Sequence, residues 1–325
     1  MAATVSPQVP LRAKPSPWRT LLKGDGIAHL VTFLFALSVI AVTALLIWEV
    51  WKACAPSRAA FGFGFLKGTD WDPVAQNFGA LPFIYGTLVT SVLALIIAVP
   101  LGVGAAIFLA ELAPPRIANA STFLVELLAA VPSVIYGLLS IFTLIPLMRE
   151  YIGPFLRATL GFLPQFRGPI FGFGYLTAAL VLAIMTFPYI ISISRVALME
   201  VPRDQREAAL ALGATRWEST IQVVVPYARL GIIGSIFLAL ARALGETMAV
   251  TMVVGNNATI RASLFAPGAT IAAVIANEFA EAVTKLHISS LIELGLVLFF
   301  ITIAVNGLAE LLVMATTRKG SRREV

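Results

Sequence analysis

Apolar residues gather in six long runs, at 27–48, 83–110, 123–147, 175–194, 230–254 and 288–316. Each is close to the roughly 20 residues a helix needs to cross a bilayer. The pattern predicts an all-α, polytopic membrane protein with six transmembrane helices. A tail at 1–26, rich in Pro, Arg, Lys and Ser, reads as disordered. A first transmembrane helix is expected at 27–51, an extracytoplasmic loop at 52–82, and a core holding five further spans at 83–316. A charged loop at 199–226 interrupts that core, and 317–325 forms a second tail. Pro100, Pro132 and Pro188 lie inside apolar runs. Each removes a helical hydrogen bond, which neighbouring segments can make good, so these positions read as simple curvature or as hinges for inward and outward opening.

Composition narrows the picture. Hydrophobic residues make up 59% of the chain and charged residues 12%, against about a quarter charged in soluble domains. A small-residue stretch, Ala53-Cys54-Ala55, resembles a signal cleavage site. The run before it is longer than the about 7–15 residues of a signal core, so it reads as an uncleaved first span. Cys54 is the sole cysteine, which excludes an intrachain disulfide and a cysteine metal site. His29 and His287 are far apart in sequence, and no metal site is expected. With the N-terminus inside, fourteen of the 23 Lys and Arg residues fall on the inner side, eight on the outer, and Arg242 within a span. That bias places both termini and the 199–226 loop in the cytoplasm. The net charge of +6 sits at span ends rather than on one face, so no nucleic-acid partner is implied.

The charged loop reads as helix, glycine turn, helix. Pro202 suits a first helical turn and Asp204 complements the helix dipole there. Gly213 supplies a left-handed stop, and Thr215 with Glu218 forms a capping-box pattern that starts a second helix. Pro226 is expected to end or kink that second helix. An Ala-rich helix closed by glycine is either an ordinary loop or a flat docking face.

Two charges fall inside the fifth run. Arg242 and Glu246 are four residues apart, a spacing that places them on one helix face. An intramembrane Arg costs about 2.5–3.5 kcal/mol, so the pair should face protein or a wet cavity. It reads as an internal ion pair that locks packing, or as a pathway site. In the second case Arg242 offers a bidentate donor to an oxyanion, while Glu246 holds Arg242 in the empty path or accepts a proton from hydrogen phosphate. Fully deprotonated sulfate could not donate that proton. Glu126 is expected near the start of the third span, where it is either solvated or functional, and Glu293 and Glu310 near the two ends of the sixth. No Gly-x4-Gly-Lys-[Ser/Thr] phosphate loop, third-glycine dinucleotide fingerprint or nucleophile–base grouping occurs in the sequence. The chain is expected to catalyse nothing and to bind no cofactor.

The loop carries a family resemblance. Glu207-Ala208-Ala209, three residues, Gly213, nine residues and Val223-x-Val225-Pro226 resemble the E-A-A-x3-G-x9-I-x-L-P loop of binding-protein-dependent ABC importer permeases, with Val in place of Ile and Leu. Further stretches resemble the PstC family of phosphate importer permeases: Trp71-Asp72-Pro73, residues 78–88, residues 126–137 and Arg242-Ala243-Leu244-Gly245-Glu246-Thr247-Met248-Ala249-Val250. The likeness runs from about Trp71 to the C-terminus. It implies a MetI-like permease fold in a bacterial inner membrane. It also implies a PstA-like second permease, two PstB-like ATPase subunits that hold ATP and Mg, and a PstS-like carrier that delivers phosphate. Glu207, Ala208, Ala209, Gly213 and Pro226 would then couple to the ATPase. Arg242 and Glu246 would line the phosphate path, with Glu126, Pro132 and Pro188 as further pathway or hinge positions. Another oxyanion, such as molybdate or sulfate, is the alternative within this class. A secondary anion transporter is the alternative outside it, and a membrane-embedded enzyme is disfavoured by the missing catalytic grouping.

Overall fold

The computed structural model describes residues 25–321, so the tail at 1–24 and residues 322–325 lie outside the described residues. Two units divide the chain, residues 1–52 and 53–325. The first contributes helix α1 (Asp25–Ala53), which presents apolar side chains on all sides, as a lipid-facing span requires. The second opens with α2 (Ala55–Phe61) and a minimal antiparallel pair, β1 (Trp71–Asp72) and β2 (Asn77–Phe78), in which Trp71 faces Phe78. Among the described residues this pair is the only departure from an all-α chain.

The main helices that follow are α3 (Leu81–Ile107), α4 (Pro115–Ala130), α5 (Ser133–Leu139), α6 (Tyr175–Met199), α7 (Arg203–Ala211), α8 (Val225–Gly245), α9 (Met248–Val253), α10 (Ile271–Glu278) and α11 (Lys285–Ser321). Helix α6 is the centre. Of its apolar window 67% is buried, against 33% or less for every other span. Small residues make that possible. Ala94 and Ala98 of α3, Ala178 of α6, Ala239 of α8, Ala249 of α9 and Ala273 of α10 meet in one core with Leu182, Met185 and Ile190. A buried Ser194–Ser235 hydrogen bond of 2.8 Å ties α6 to α8.

Among the described residues, six helices are long and apolar enough to cross a membrane, at 27–53, 81–112, 133–160, 175–199, 216–245 and 285–308. The count agrees with the sequence pattern, but the third and fifth spans each move at both ends. Pro132 does not kink a continuous third span. It caps α5 in an extended conformation (φ −58°, ψ 141°), so α4 stands apart and the span runs on to Leu160, past the expected end at 147. The fifth span starts at Arg216 and ends at Gly245, short of the expected 254, because Glu246 turns extended (φ −68°, ψ 125°). The tail expected at 317–325 is still helical as far as Ser321.

Pro226 does not end its helix either, and the same holds at Pro146 and Pro154. Every π-helical segment among the described residues, at Phe108–Leu112, Ser140–Leu144, Met148–Ile152 and Thr220–Val224, is followed by one residue and then a proline: Pro114, Pro146, Pro154 and Pro226. The intervening residue donates its N–H five residues back, as Val225 does to Thr220 O. A proline ring collides with the carbonyl four residues earlier, and a widened turn moves that carbonyl aside.

Close packing at one glycine yields a test. A Cβ on Gly86 would lie 2.0 Å from Ala269 O, whereas one on Gly104 meets nothing within 4 Å. Gly86→Ala is expected to lower unfolding stability by about 1–3 kcal/mol, and Gly104→Ala to be neutral or stabilising, as read by thermal denaturation in detergent.

Candidate functional site

Two regions carry the chemistry anticipated from sequence. The first is built where helices stop inside the bundle. Arg242 lies in the last turn of α8, where a cation complements the carbonyl end of the helix. Glu246 lies just past that end, and its Oε1 accepts a hydrogen bond from Ala249 N in the first turn of α9 at 3.4 Å. Each charge is therefore seated on a different helix terminus, and the shared face expected from their spacing is lost with the helix at Gly245. The expected Arg242–Glu246 ion pair is not formed. Ion pairs that do form include Glu49–Lys52, Arg149–Glu150, Arg206–Glu111 and His287–Glu278.

Arg242 instead stacks on an aromatic ring. Its Cζ stands 4.2 Å from the centre of the Tyr189 ring, close enough for a cation–π contact. Its Nε is buried with no hydrogen-bond partner. Tyr189 is fixed in turn: its hydroxyl donates to Ala129 O at 3.2 Å, while Tyr136 donates to Leu128 O at 2.7 Å. These carbonyls belong to the last turn of α4, where helical acceptors lack intrahelical donors. Leu128 O keeps only a 3.3 Å bond from Val131 N at the break, and the two tyrosines supply further donors to this end of α4. Tyr189 was not singled out from sequence. Its signal is faint, a lone hydroxyl directly after Pro188 within α6, where the proline is buried in the helix interior.

The other expected positions scatter. Glu126 is exposed on α4, outside the third span. Glu310 is exposed on α11. Glu293, expected at an interface, is 7% exposed on α11, with its Oε2 unbonded. Ser289 and Ser290, on the same helix, hydrogen-bond Ser57 of α2. His287 is buried against Glu278 at 2.9 Å, and Trp71 Nε1 donates to the same carboxylate at 2.8 Å. Among the described residues no group of His, Cys, Asp and Glu has the makings of a metal site.

The second region is the charged loop. Helix α7 ends at Ala211, and Gly213 takes φ +91°, a conformation that side-chain-bearing residues rarely adopt. The capping box forms as the sequence suggests: Glu218 N donates to Thr215 Oγ1 at 3.3 Å, and Thr215 N donates to Glu218 Oε2 at 2.8 Å. Glu207, Ala208 and Gly213 are exposed, Ala209 is half-buried, and Pro226 is exposed at the start of α8. Leu212 is 90% exposed and Trp217 56%. The loop presents Leu212 and Trp217 among exposed charged side chains, and no other described residue covers them.

Residues 98–318 match the family described as the binding-protein-dependent transport system inner membrane component. The chain is 45% identical to the phosphate transport system permease protein PstC of Mesorhizobium japonicum, over 89% of this chain and 90% of that one. It is 47% identical to the PstC protein of Pasteurella multocida, over 90% of each chain. The chain belongs to the PstC family of transport permeases. A crystal structure of a bacterial alginate ABC transporter, with its alginate pentasaccharide-bound periplasmic protein, shares the fold at a TM-score of 0.57 and 14% identity, covering 90% of this chain and 95% of that one. The six-span architecture is therefore that of a multi-pass ABC permease of MetI-like fold.

Proposed function

We propose that the permease forms one half of a phosphate path through a bacterial inner membrane and converts ATP hydrolysis by a separate subunit into opening and closing of that path. The observation that carries this reading is the Arg242 site: a guanidinium within the bundle, stacked on Tyr189 and without a carboxylate partner, on a chain related over most of its length to phosphate permeases. With no counter-charge to displace, its N–H fork is available to a tetrahedral oxyanion. Glu246 serves as acceptor for the proton of hydrogen phosphate, which favours phosphate over sulfate.

The partners in this reading are a PstA-like permease that completes the path, two PstB-like subunits that bind ATP and Mg, and a PstS-like carrier outside. This chain binds no cofactor and hydrolyses nothing. Glu207, Ala208, Ala209 and Gly213 face the ATPase in the cytoplasm, and motion passes through Pro226 into the fifth span. Pro132 and Pro188 lie beside the Tyr136–Tyr189 contacts and act as hinges, with exposed Glu126 close by in sequence. Both termini are cytoplasmic.

The test is phosphate uptake by vesicles holding the assembled transporter, with carrier outside and ATP inside. Uptake is expected only with ATP and the ATPase subunit together. Uptake driven by a proton gradient without that subunit would establish a secondary transporter instead.

A further inference from the structure

Helix α7 is attached to the bundle by unusual means. A nine-residue helix does not persist on its own hydrogen bonds, and helices in folded chains are usually held by a buried apolar face. Yet α7 buries none of its nine residues. The helix lies against the Thr220–Val224 segment of the fifth span, and among the described residues its side-chain hydrogen bonds to the second and fourth spans come from one residue. Arg206 Nη2 donates to Glu111 Oε1 at 2.8 Å and to Leu198 O at 2.7 Å, its Nε lies 3.3 Å from both Glu111 oxygens, and Nη1 donates to Val201 O. The Arg206 and Glu111 side chains are only 21% and 12% exposed.

These acceptors come from different spans. Glu111 belongs to the π segment that closes the second span, and Leu198 to the last turn of α6 in the fourth. Successive helical residues point about 100° apart, so with Arg206 turned inward, Glu207 and Ala208 remain on the outer surface. One side of α7 is thus free for a partner while the other is bolted to two spans by one guanidinium. An exposed ion pair is worth little, but a forked, mostly desolvated arginine with four acceptor atoms is both strong and directional.

We propose that Arg206, held by Glu111, is the positioning residue that makes the coupling helix mechanically rigid, so that a push on α7 moves the second and fourth spans instead of tilting a loose helix. This inference rests on the reading that α7 receives the ATPase. It assigns Arg206 to transmission and not to docking.

The experiment compares Arg206→Gln, Glu111→Gln and the double variant in vesicles containing the whole transporter, carrier and ATP, and measures phosphate moved per ATP hydrolysed. Arg206→Gln is expected to lower that ratio about tenfold, a size typical of coupling between sites, while hydrolysis continues and the ATPase subunit still co-purifies. The double variant is expected to be no worse than Arg206→Gln, because both residues act through one joint. An unchanged ratio in Arg206→Gln would overturn the proposal, as would losses that multiply in the double variant. Loss of the ATPase subunit on purification would also overturn it, since Arg206 would then serve docking or folding. Docking itself is checked separately, by whether the ATPase subunit shields a cysteine introduced by Leu212→Cys in the otherwise parental chain. Absence of shielding there overturns the docking reading and this inference together.

Discussion

Arg242→Ala is expected to reduce phosphate uptake about a hundredfold while the assembled transporter still forms and still hydrolyses ATP. Hydrogen bonds to charged groups are worth about 1.5–3 kcal/mol each, so loss of the two-pronged phosphate contact proposed for Arg242 accounts for an effect of that size. The residue has no ion-pair partner in this structure, so its removal leaves no buried carboxylate stranded. That separates the pathway role from a structural one, because an ion-pair lock would show first as lost stability. Arg242→Lys keeps the charge but loses the planar fork and the stacking on Tyr189. It is expected to recover only part of the activity. Uptake of radiolabelled phosphate, alongside thermal denaturation of the same preparations, reads both quantities.

Ala208→Trp should be nearly as damaging, by a different route. Ala208 is exposed on α7, so added bulk disturbs no packing within this chain. It obstructs the flat face that the ATPase is proposed to cover. Central contacts of an interface commonly carry 2 kcal/mol or more, which corresponds to about a thirtyfold loss of affinity. Co-purification of the ATPase subunit is expected to fall by that factor, and phosphate uptake with it, while the melting temperature of the isolated permease stays unchanged.

Much of this was legible in the sequence, and the failures have physical causes. Six spans could be read because a bilayer demands uninterrupted apolar length. The loop at 203–219 could be read because caps and turns are local: Gly213, Thr215 and Glu218 do in the structure what their spacing suggests. Span boundaries were harder where apolar residues continue past a helix end. Gly245 is a stop signal, but the apolar residues after Thr247 conceal it. Pro132 looks the same in sequence whether it bends a helix or starts one. Long-range partners were not legible at all. Tyr189 and Arg242 are joined only by the packing of α6 on α8, and Glu111 with Arg206 only by the return of the chain after 95 residues. The four-residue spacing of Arg242 and Glu246 invites pairing with each other, and in the structure Arg242 meets the distant Tyr189 ring while Glu246 caps Ala249 N.

The central claim, that this permease is driven from the cytoplasm through 203–213, is tested most directly by labelling a single site. Cys54 is fully buried, and burial pushes its thiol pKa up. At neutral pH it therefore offers little of the thiolate that a maleimide attacks, so Leu212→Cys provides the only reactive thiol. A membrane-impermeant maleimide is predicted to leave intact cells unlabelled, to label inside-out vesicles that lack the ATPase subunit, and to lose access when that subunit is bound. Labelling of intact cells, or equal labelling with and without the bound subunit, would contradict the account.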